Sequence, residues 1–444
     1  MSDLLSLATT GIRGYSRALQ TIGDNIANAQ TPGYARRSTL LAEQVSGGHS
    51  VLYPNQVAPG GVLVTGVTRV VDPWLIEDAR VASGDAAQTG ARLAGLEAVE
   101  AAIHDGGAGV GRAMTALFNR ADELATEPAS NVRRGAFLQA TSDVADAFRR
   151  TADGFTRAAD GVATRAASGV AQLNTDLGAL SRVNNGLRRA REGSTNQASL
   201  LDDRDRLLDS ISAALPVGVA YDARGAVTLD SDGAPLLAGG DAATVSLAVA
   251  ADGRLSLGSI IAGSISAINP ASGALAGHFE AAGAIATQRS ALDGMASNFV
   301  TTVNAQHVAG RDATGAQGRP LLVIGTGAAD MTALALTATE VAAADASASN
   351  GNALAFGNLR GAGGGEMSWA DFAARHSQMV AGTRAQDSAA TSRRDGAANA
   401  RDAVASIDLD REAADLVRFQ QAYQASARVL QTARETLQTI MDAL

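Results

Sequence analysis

Residues 3–30 read DLLSLATTGIRGYSRALQTIGDNIANAQ, and residues 409–444 read LDREAADLVRFQQAYQASARVLQTARETLQTIMDAL. Apolar side chains recur every seven residues in both stretches, and a second apolar row lies between them. The N-terminal rows are Leu5, Ile12, Leu19 and Ile26 with Ala8, Tyr15, Ile22 and Ala29; the C-terminal rows are Leu409, Leu416, Tyr423, Leu430, Leu437 and Leu444 with Phe419, Ala433 and Ile440. This spacing predicts two long helices that each need a partner helix.

The two predicted helices lie at opposite ends of the chain, and each is the obvious partner of the other. On periodicity alone, the same rows would also suit core positions of an ordinary helical bundle. Their location favours mutual pairing, because chain ends without a dedicated partner usually fray. A chain whose ends pair carries everything between them as an insertion, which is typical of a polymer subunit more than of an enzyme.

Two sets of candidate assembly residues follow from these rows. We call the first set the N-terminal seam: Leu5, Ile12, Tyr15, Leu19, Ile22 and Ile26. We call the second set the C-terminal seam: Leu409, Leu416, Phe419, Tyr423, Leu430, Leu437 and Ile440. Burying one such side chain fully contributes about 1.5–3 kcal/mol, which a lone helix pair cannot set against the entropy of ordering the chain. We therefore expect both ends to be disordered in the free monomer and to order when neighbouring subunits cover them.

The composition excludes several classes of function. The chain has 444 residues, which suggests two or three domains, and its net charge of −9 argues against nucleic-acid binding. It contains no cysteine and no lysine, so disulfides, thiolate chemistry and lysine-dependent nucleotide or Schiff-base sites are excluded. No apolar run is long enough to predict a membrane span. Residues 1–10 lack a basic segment and a cleavage site, so we expect no cleaved signal peptide.

The hydropathy pattern changes from helical to alternating and back along the chain. The first helix should stop at Thr31-Pro32-Gly33-Tyr34, because proline disfavours the helical conformation in the residue before it. The predicted order of the remaining segments is a partly stranded excursion over 35–72, long helices over 73–212, short strands over 215–270, a helix over 273–308, a loop-rich stretch over 309–365 with strands near 321–324 and 331–336, and a helix over 368–444 broken near 406–408. Asp-Gly turns between the short strands are typical of antiparallel hairpins.

These segments predict a mainly α fold with a small antiparallel β domain. Its parts are a terminal α-helical coiled coil, a long-helix bundle and an inserted β domain. The predicted domains are an inner domain of residues 1–34 plus 406–444, a helical bundle domain of residues 35–214 plus 271–405 built from both halves of the chain, and an outer β domain of residues 215–270.

Candidate catalytic and metal-binding residues are sparse. Five histidines are scattered without the spacing of a metal site: His49, His104, His278, His307 and His376. The glycine-rich stretch 107–111 follows no predicted strand, so it indicates a turn between two helices more than a dinucleotide loop. The alternating acidic and basic residues of segment 202–206 predict a solvated helical face with local ion pairs. We therefore expect no catalytic residue, no metal and no cofactor.

The segment after the first helix resembles a signature of the flagellar axial proteins, the rod, hook and hook-associated family. In that signature an Asn-Ile-Ala-Asn segment leads into Thr-Pro-Gly-Tyr, and here residues 25–34 read NIANAQTPGY. We call the matching polar and turn residues the corner: Asn25, Asn28, Thr31, Pro32, Gly33 and Tyr34. The helix upstream of the corner, residues 4–19, fits the same family.

The C-terminal and interior segments are similar to the hook-associated branch of this family. Residues 409–430, LDREAADLVRFQQAYQASARVL, resemble the end of its members. Residues 201–208, LDDRDRLL, and 303–312, VNAQHVAGRD, are similar to its Leu-Asp-x-Arg-Asp-x-Leu-Leu and Asn-x-x-His-x-x-Gly segments. The resemblance runs along the whole chain and is weakest over 215–270 and 325–360.

The resemblance implies a structural protein of the bacterial flagellum that catalyses no reaction. Its terminal helices would line the export channel as an inner coiled-coil layer, and copies would polymerise into a ring at the hook–filament junction. The implied partners are further copies in that ring, the hook protein, a second junction protein and the flagellin side, and a cytoplasmic export chaperone on the C-terminal helix. The implied location is extracellular, after type III export.

Three alternatives remain open. Another axial protein, such as hook or distal rod, shares the N-terminal signature, although more strand sequence would be expected in its middle. An enzyme inserted at 215–365 would need converging His, Asp or Glu, whereas the Asp residues of 215–270 stand at turns. A soluble coiled-coil signalling adaptor would have the seams without the corner.

Overall fold

The computed structural model describes residues 2–31, 33–44, 60–104, 106, 109–361 and 363–442. The helices are α1 (Ser2–Ala27), α2 (Pro73–Ile103), α3 (Val110–Thr126), α4 (Asn131–Arg189), α5 (Thr195–Ala214), α6 (Gly273–Ala309), α7 (Gly351–Ala355), α8 (Gly365–Ala405) and α9 (Leu409–Asp442). Short 3₁₀ turns lie at Ala328–Asp330, Ala338–Glu340 and Phe356–Arg360. Within the described ranges, no helix combines the length and the apolar character that crossing a membrane requires.

The strands form small antiparallel sheets. They are β1 (Arg37–Gln44), β2 (Gly61–Arg69), β3 (Gly218–Tyr221), β4 (Val227–Ser231), β5 (Ala234–Ala238), β6 (Asp241–Ala242), β7 (Thr244–Val249), β8 (Leu255–Ile261), β9 (Ser264–Ile268), β10 (Leu322–Val323) and β11 (Thr332–Ala333). β1 pairs with β2, β3 to β6 form one sheet in sequence order, β7 to β9 form another, and β10 pairs with β11.

Several helices begin where the local sequence supplies an N-cap. α2 begins with Pro73, whose missing N–H would have no partner in the first turn anyway. The Asp72 carboxylate accepts a hydrogen bond from the Trp74 N–H at 2.9 Å. α4 and α5 follow Ser130 and Ser194, whose hydroxyls accept from the N–H three residues further on.

The long helices pack as a bundle around an aromatic core. α2 lies against α6 and α8, and α4 lies against α3, α5 and α6. The large aromatic side chains buried in this core are Phe118, Phe137, Phe148, Phe155, Phe299, Phe356, Phe372 and Trp369. α4 alone has 59 residues, which corresponds to about 90 Å of helix. Residues from both halves of the chain therefore meet in one core.

The two central sheets are attached to the second half of α4. Their apolar faces share a core with Leu173, Leu177 and Leu180 of α4. The Asn174 amide donates to the carbonyl and accepts from the N–H of Val245 in β7, both at 2.8 Å. Asn184 holds Val227 of β4 in the same way, at 2.7 and 2.9 Å. At Val227 and at Val245 one edge of the strand has no neighbouring strand, and the amide from α4 supplies the hydrogen bonds at that edge.

The predicted fold class is confirmed, and the segment order agrees with the structure. Strands occupy 218–268 and 322–333, and the last helices are interrupted at 406–408. The first helix ends at Ala27 instead of Gln30, because residues 28–30 form turns in which the Asn28 amide bonds back to the Asp24 carbonyl. Gly107 and Ala108 of the predicted glycine turn, like Leu444, lie outside the described residues. The domain boundaries stay a prediction.

Candidate functional site

The two chain ends pair in this structure as antiparallel helices. The Tyr15 ring of α1 and the Phe419 ring of α9 have centroids 6.2 Å apart. Four residues earlier on α1, Gly11 faces Ser426, and a Cβ atom at Gly11 would lie 2.9 Å from the Ser426 Oγ. Later residues of α1 thus lie beside earlier residues of α9, so the two helices run antiparallel. The lack of a side chain at Gly11 permits their close approach.

Asn25 near the end of α1 is the centre of the contact between the two ends. Its Nδ2 donates to the Arg37 carbonyl at 2.9 Å and to the Glu412 Oε2 at 3.1 Å. Its Oδ1 accepts from the Arg37 N–H and from the Tyr34 hydroxyl, both at 3.0 Å. Only 1% of Asn25 is exposed, so the full hydrogen-bonding capacity of the amide is used away from water.

The rest of the corner is a tight turn that carries the chain from α1 to β1. The Thr31 N–H donates to the Asn28 carbonyl at 2.9 Å, and the Tyr34 N–H donates to the Thr31 carbonyl at 3.2 Å. Gly33 has a φ of +78°, a left-handed conformation that glycine adopts without strain. Pro32 lies outside the described residues. The other corner residues lie together at the end of α1.

The Tyr34 side chain closes the corner. The guanidinium carbon of Arg37 lies 4.5 Å from the centre of the Tyr34 ring, which is a cation–π geometry. Burial raises the pKa of Tyr34 to about 12, against the opposing effect of Arg37. The hydroxyl therefore stays protonated at neutral pH and remains a donor to Asn25.

Two charged residues that the sequence analysis missed hold α9 to the corner. Glu412 is completely buried, and its Oε1 pairs with the Arg36 Nε at 2.6 Å while its Oε2 accepts from Asn25. Arg36 also lies 3.6 Å from Asp415, and its N–H donates to the Ala405 carbonyl at the end of α8. A buried carboxylate depends on such partners, because removal of one leaves an uncompensated charge.

A second ion-pair network ties the β1–β2 hairpin to α5. Arg37 of β1 pairs with Asp202 at 2.8 Å. Arg69 of β2 pairs with both Asp202 and Asp205, each at 2.7 Å. Arg80 extends the network to α2, with its guanidinium 3.4 Å from Asp205. The hairpin therefore connects the corner to the helical bundle through charges as well as through the backbone.

This network corrects the prediction of a solvated helical face over 202–206. The side chains of Asp202 and Asp205 are each only 12% exposed, because the hairpin and its arginines cover them. Asp203 and Arg206 do form the expected exposed local pair. The charge spacing therefore correctly predicted the exposed side of this helix turn. It did not reveal that the other side is buried against the hairpin.

The pKa values of the two buried carboxylates of the network are shifted in opposite directions. Burial raises the pKa of Asp202 above its ordinary value, although Arg69 and Arg37 act against it. Burial acts the same way on Asp205, but Arg204 and Arg69 outweigh it and hold the pKa of Asp205 below its ordinary value. Asp205 therefore stays ionised to lower pH than Asp202.

The predicted seams lie along the α1–α9 pair and are only partly covered. Ile22 is buried at 6% exposure. The half-buried seam residues are Leu5, Ile12, Tyr15, Leu19, Leu416, Phe419, Leu430 and Leu437. The exposed seam residues are Ile26, Leu409, Tyr423 and Ile440. α9 also exposes Val417, Val429 and Met441, which the sequence analysis did not include. One helix pair thus leaves many apolar side chains in water.

Three histidines of the described residues are buried and take part in packing. The His307 Nδ1 donates to the Arg319 carbonyl at 2.5 Å, and its Nε2 accepts from the Ala342 N–H at 2.9 Å. Burial lowers the pKa of His307, and it does the same to His278 and His376. Across the part of the chain that the structure describes, no three His, Asp or Glu side chains converge as metal ligands would.

Comparison with protein-family models assigns more than half of the chain. Residues 96–322 match the flagellar hook-associated protein FlgK helical domain. Residues 405–443 match the flagellar basal body rod FlgEFG protein C-terminal family. The first match covers the region from α2 to β10, and the second covers α9 with its seam.

Curated relatives carry a hook-associated name. Flagellar hook-associated protein 1 of Salmonella typhimurium strain LT2 is 25% identical over 336 residues, which is 73% of this chain and 60% of that protein. The protein of the same name from Bacillus subtilis strain 168 is 23% identical over 265 residues, which is 58% of this chain and 50% of that protein. The chain therefore matches between half and 60% of the length of these relatives.

A solved structure shares the fold over part of its length. The flagellar hook junction protein FlgK from Burkholderia pseudomallei aligns with a TM-score of 0.50 at 20% identity, covering 56% of this chain and 46% of that one. The resemblance to the hook-associated branch that the sequence indicated is thereby confirmed. The chain belongs to the flagellar hook-associated protein FlgK family.

Proposed function

We propose that this chain is a non-catalytic structural subunit of the bacterial flagellum that assembles with copies of itself into a ring at the hook–filament junction. The observation that carries this proposal is the α1–α9 pair, which joins the two chain ends yet leaves seam residues in water. Family membership supports the same role, since the named relatives are hook-associated and hook junction proteins.

The exposed seam residues supply a driving force for assembly. Leu409 is 54% exposed, Ile440 is 45% exposed and Tyr423 is 37% exposed in the single chain. A neighbouring helix that covered the exposed half of one of these side chains would gain roughly 1 kcal/mol, since complete burial from full exposure contributes about 1.5–3 kcal/mol. A row of apolar side chains on one surface is typical of an interaction site. We assign assembly to the two seams and assign to the corner the task of holding the chain ends in register.

We assign a separate role to each of the predicted domains. Residues 1–34 plus 406–444 form the inner assembly domain, residues 35–214 plus 271–405 form the helical body, and residues 215–270 form the outer β domain. The α1–α9 contacts and the packing of α2 against α6 and α8 support the first two. The core that the central sheets share with α4 would fix the outer domain to the body.

The proposed partners differ with the stage of assembly. Before export, a cytoplasmic chaperone would cover the exposed apolar residues of α9, in the way that grooves take up amphipathic helices. After type III export, the ring would stand outside the cell, with the hook protein on one side and a second junction protein and flagellin on the other. The partial coverage of the α9 seam supports a requirement for such partners.

The variant Tyr423→Asp tests the assembly role. Tyr423 is 37% exposed in the single chain, so a carboxylate at this position can reach water there. A seam interface would have to bury that charge without a partner. We expect the purified variant to keep the helical circular dichroism and the unfolding midpoint of the unchanged protein. We expect it to fail in assembly, measured by sedimentation and by the joining of filaments to hooks in cells that carry only the variant.

Val132→Asp is the matched control. Val132 is 82% exposed at the start of α4 and belongs to neither seam. This variant should assemble as the unchanged protein does. The proposal fails if Tyr423→Asp assembles as well as Val132→Asp.

A further inference from the structure

The two central sheets end in edge strands of two kinds. β6 and β7 are edge strands that contact α4. β3 and β9 are the edge strands at the other ends of the two sheets, and each has a neighbouring strand on one side only. The open side of an edge strand presents backbone N–H and C=O groups that a further strand can pair.

The pairing pattern of β7, β8 and β9 shows which backbone groups of β9 face outward. In an antiparallel pair, residues bonded to the neighbour alternate with residues whose N–H and C=O face away from it. The N–H and C=O of Val245 bond to α4, so Ser259 opposite Val245 turns its own groups towards Ser266 of β9. The backbone groups of Ile265 and Ala267, on either side of Ser266, therefore face outward. We call them the outward groups of β9.

The same alternation identifies the outward groups of β3. The Asp222 N–H donates to the Ala226 carbonyl at 2.8 Å and closes the hairpin between β3 and β4. The residue before Asp222 is Tyr221, so its N–H and C=O face outward, and those of Val219 do the same two residues earlier. Within the described residues, the outward groups of β3 and of β9 have no hydrogen-bond partner.

This chain covers open strand edges elsewhere in the same sheets. The amides of Asn174 and Asn184 bond the outward groups of Val245 in β7 and Val227 in β4. β3 reads GVAY and β9 reads SISAI, and their pairings with β4 and β8 contain no bulge. Neither strand has a charged residue or a proline, which natural edge strands commonly use to prevent pairing. Both edges are therefore suited to a further strand.

Apolar side chains accompany the two open edges. Ile265 of β9 is 78% exposed, and Ile260 lies opposite it on β8 at 44% exposure. Tyr221 of β3 is 52% exposed. A strand added beside β9 would place its own side chains next to Ile265 on the same face of the sheet. Backbone pairing at these edges would therefore also remove apolar surface from water.

We propose that β9 of one copy pairs with β3 of the next copy, so that a central sheet of one copy continues into a central sheet of its neighbour. The inference rests on the proposed self-assembly and names one of its contacts. β9 has five residues and β3 has four. Two outward residues on each strand allow about four hydrogen bonds between copies.

The choice of β3 as the partner of β9 follows from symmetry. Pairing of two different edges is head-to-tail, so each copy keeps one free edge for the next copy and the contact repeats around a ring. Pairing of β9 with β9 would close after two copies and leave β3 open. A ring of copies therefore favours the pairing of β9 with β3.

Hydrogen exchange of the unchanged full chain tests this contact, read residue by residue before and after assembly. Assembly is followed in parallel by sedimentation. We expect the outward amides of Ile265, Ala267, Val219 and Tyr221 to exchange slower by about tenfold or more in the assembled state. The Ser266 amide should change little, because it is already bonded to β8 in the single chain.

The outcomes separate the two proposals. Assembly without slower exchange at the outward amides would overturn the strand contact and leave the proposed function standing. A failure of the unchanged protein to assemble under any condition that assembles hooks would contradict the proposed function, and the strand contact would fall with it.

Thiol cross-linking identifies the partner strand, because the chain contains no cysteine. Copies with Ala267→Cys are mixed with copies with Ala220→Cys, and both positions are exposed. A short bismaleimide should join the two kinds of copy in the assembled state. Ala248→Cys, an exposed position on β7 of the same sheet, replaces Ala267→Cys as the control. Equal cross-linking from Ala248→Cys would overturn the inference, and so would cross-linking of Ala267→Cys copies to each other alone.

The variant Ile265→Lys tests the edge by adding the kind of charge that prevents strand pairing. We expect the protein concentration needed for assembly to rise severalfold, while the unfolding midpoint of the single chain stays the same. Val249→Lys is the matched control, because Val249 is 54% exposed on β7 of the same sheet. Equal assembly of the two variants would contradict the pairing of β9 between copies.

Discussion

Asn25 of α1 donates a hydrogen bond to Glu412 of α9 at 3.1 Å, across a sequence separation of 387 residues. Both side chains are buried, and the same amide holds the backbone of Arg37 through a donor and an acceptor. One side chain therefore fixes the first helix, the first strand and the last helix relative to one another. The corner signature thus marks the point at which the two chain ends are held in register.

Replacing Asn25 with Asp should loosen this junction. The carboxylate has the same shape but cannot donate to Glu412, and it places a second negative charge beside it in a buried site. We expect the α1–α9 pair to lose at least ~2 kcal/mol of stability, measured as faster hydrogen exchange in both terminal helices of the assembled protein. Asn28→Asp is the control, because the Asn28 amide donates within its own turn, to the Asp24 carbonyl. Equal exchange in the two variants would contradict the role of Asn25.

Gly11 should not tolerate a larger side chain. In Gly11→Val, the Cβ atom would lie 2.9 Å from the Ser426 Oγ, and the methyl groups would push α1 away from α9. Gly23→Val is a matched control on the same helix, since no atom lies within 4 Å of a Cβ at Gly23. Both changes alter helix propensity equally, so the difference between them isolates packing, and we expect about 1–3 kcal/mol. Hydrogen exchange of α9 in the assembled protein measures it; no difference would mean that the helices do not approach closely at Gly11.

Asn184→Ala should detach the first central sheet from α4. The change leaves the N–H and the carbonyl of Val227 without the Asn184 amide in a buried place. We expect the free energy of unfolding in urea to fall by about 2–4 kcal/mol. The neighbouring Asn185→Ala is the control, because the Asn185 side chain only accepts from Arg188 one turn further along the same helix. If both variants unfold at the same urea concentration, the hydrogen bonds between Asn184 and Val227 do not contribute to stability.

Acid should weaken the attachment of the loop-rich segment 309–365 to α6 through His307. The pKa of buried His307 lies below its ordinary value, so the unfolded chain takes up this proton first as pH falls. The stability that neutral His307 contributes is complete above about pH 6.5 and is lost as pH falls towards the pKa of the folded state. A second ring proton would also face the Ala342 N–H.

The measurement compares the unchanged protein with His307→Gln. The free energy of unfolding is followed between about pH 7.5 and 5. We expect the pH slope of the variant to be smaller by up to one proton, or about 1.4 kcal/mol per pH unit. His278 and His376 are present in both proteins, so the difference isolates His307. Identical slopes would show that His307 does not titrate with unfolding.

The terminal helices could be predicted because the relevant pattern is local. The seven-residue spacing of Leu416, Tyr423 and Leu430 reports which side of a helix is apolar, wherever that helix lies. The same holds for the hairpin turns, because Asp-Gly pairs predict a left-handed glycine. Gly233 and Gly253 adopt φ values of 77° and 87°. Such signals need no knowledge of distant residues.

The polar part of the site could not be predicted in the same way. Arg36 and Glu412 carry no spacing that marks them as a buried pair, and Asp202 looks like any acidic residue on a solvated helix. One of the arginines that pair with Asp202 is Arg37, which lies 165 residues away in the sequence. Periodicity locates the apolar side of a helix and says nothing about what covers its polar side.

Residue order alone was sufficient to place α1, α9 and the short strands, because the interactions that define them join residues close in the chain. The corner was found through its resemblance to a family signature. Long-range packing was needed to bury Glu412 and Asp205 and to leave Tyr423 and Ile440 in water. The physical reason is that the free energy of burying a charge or an apolar side chain depends on its spatial neighbours. In this protein the neighbours of the first helix come from the last.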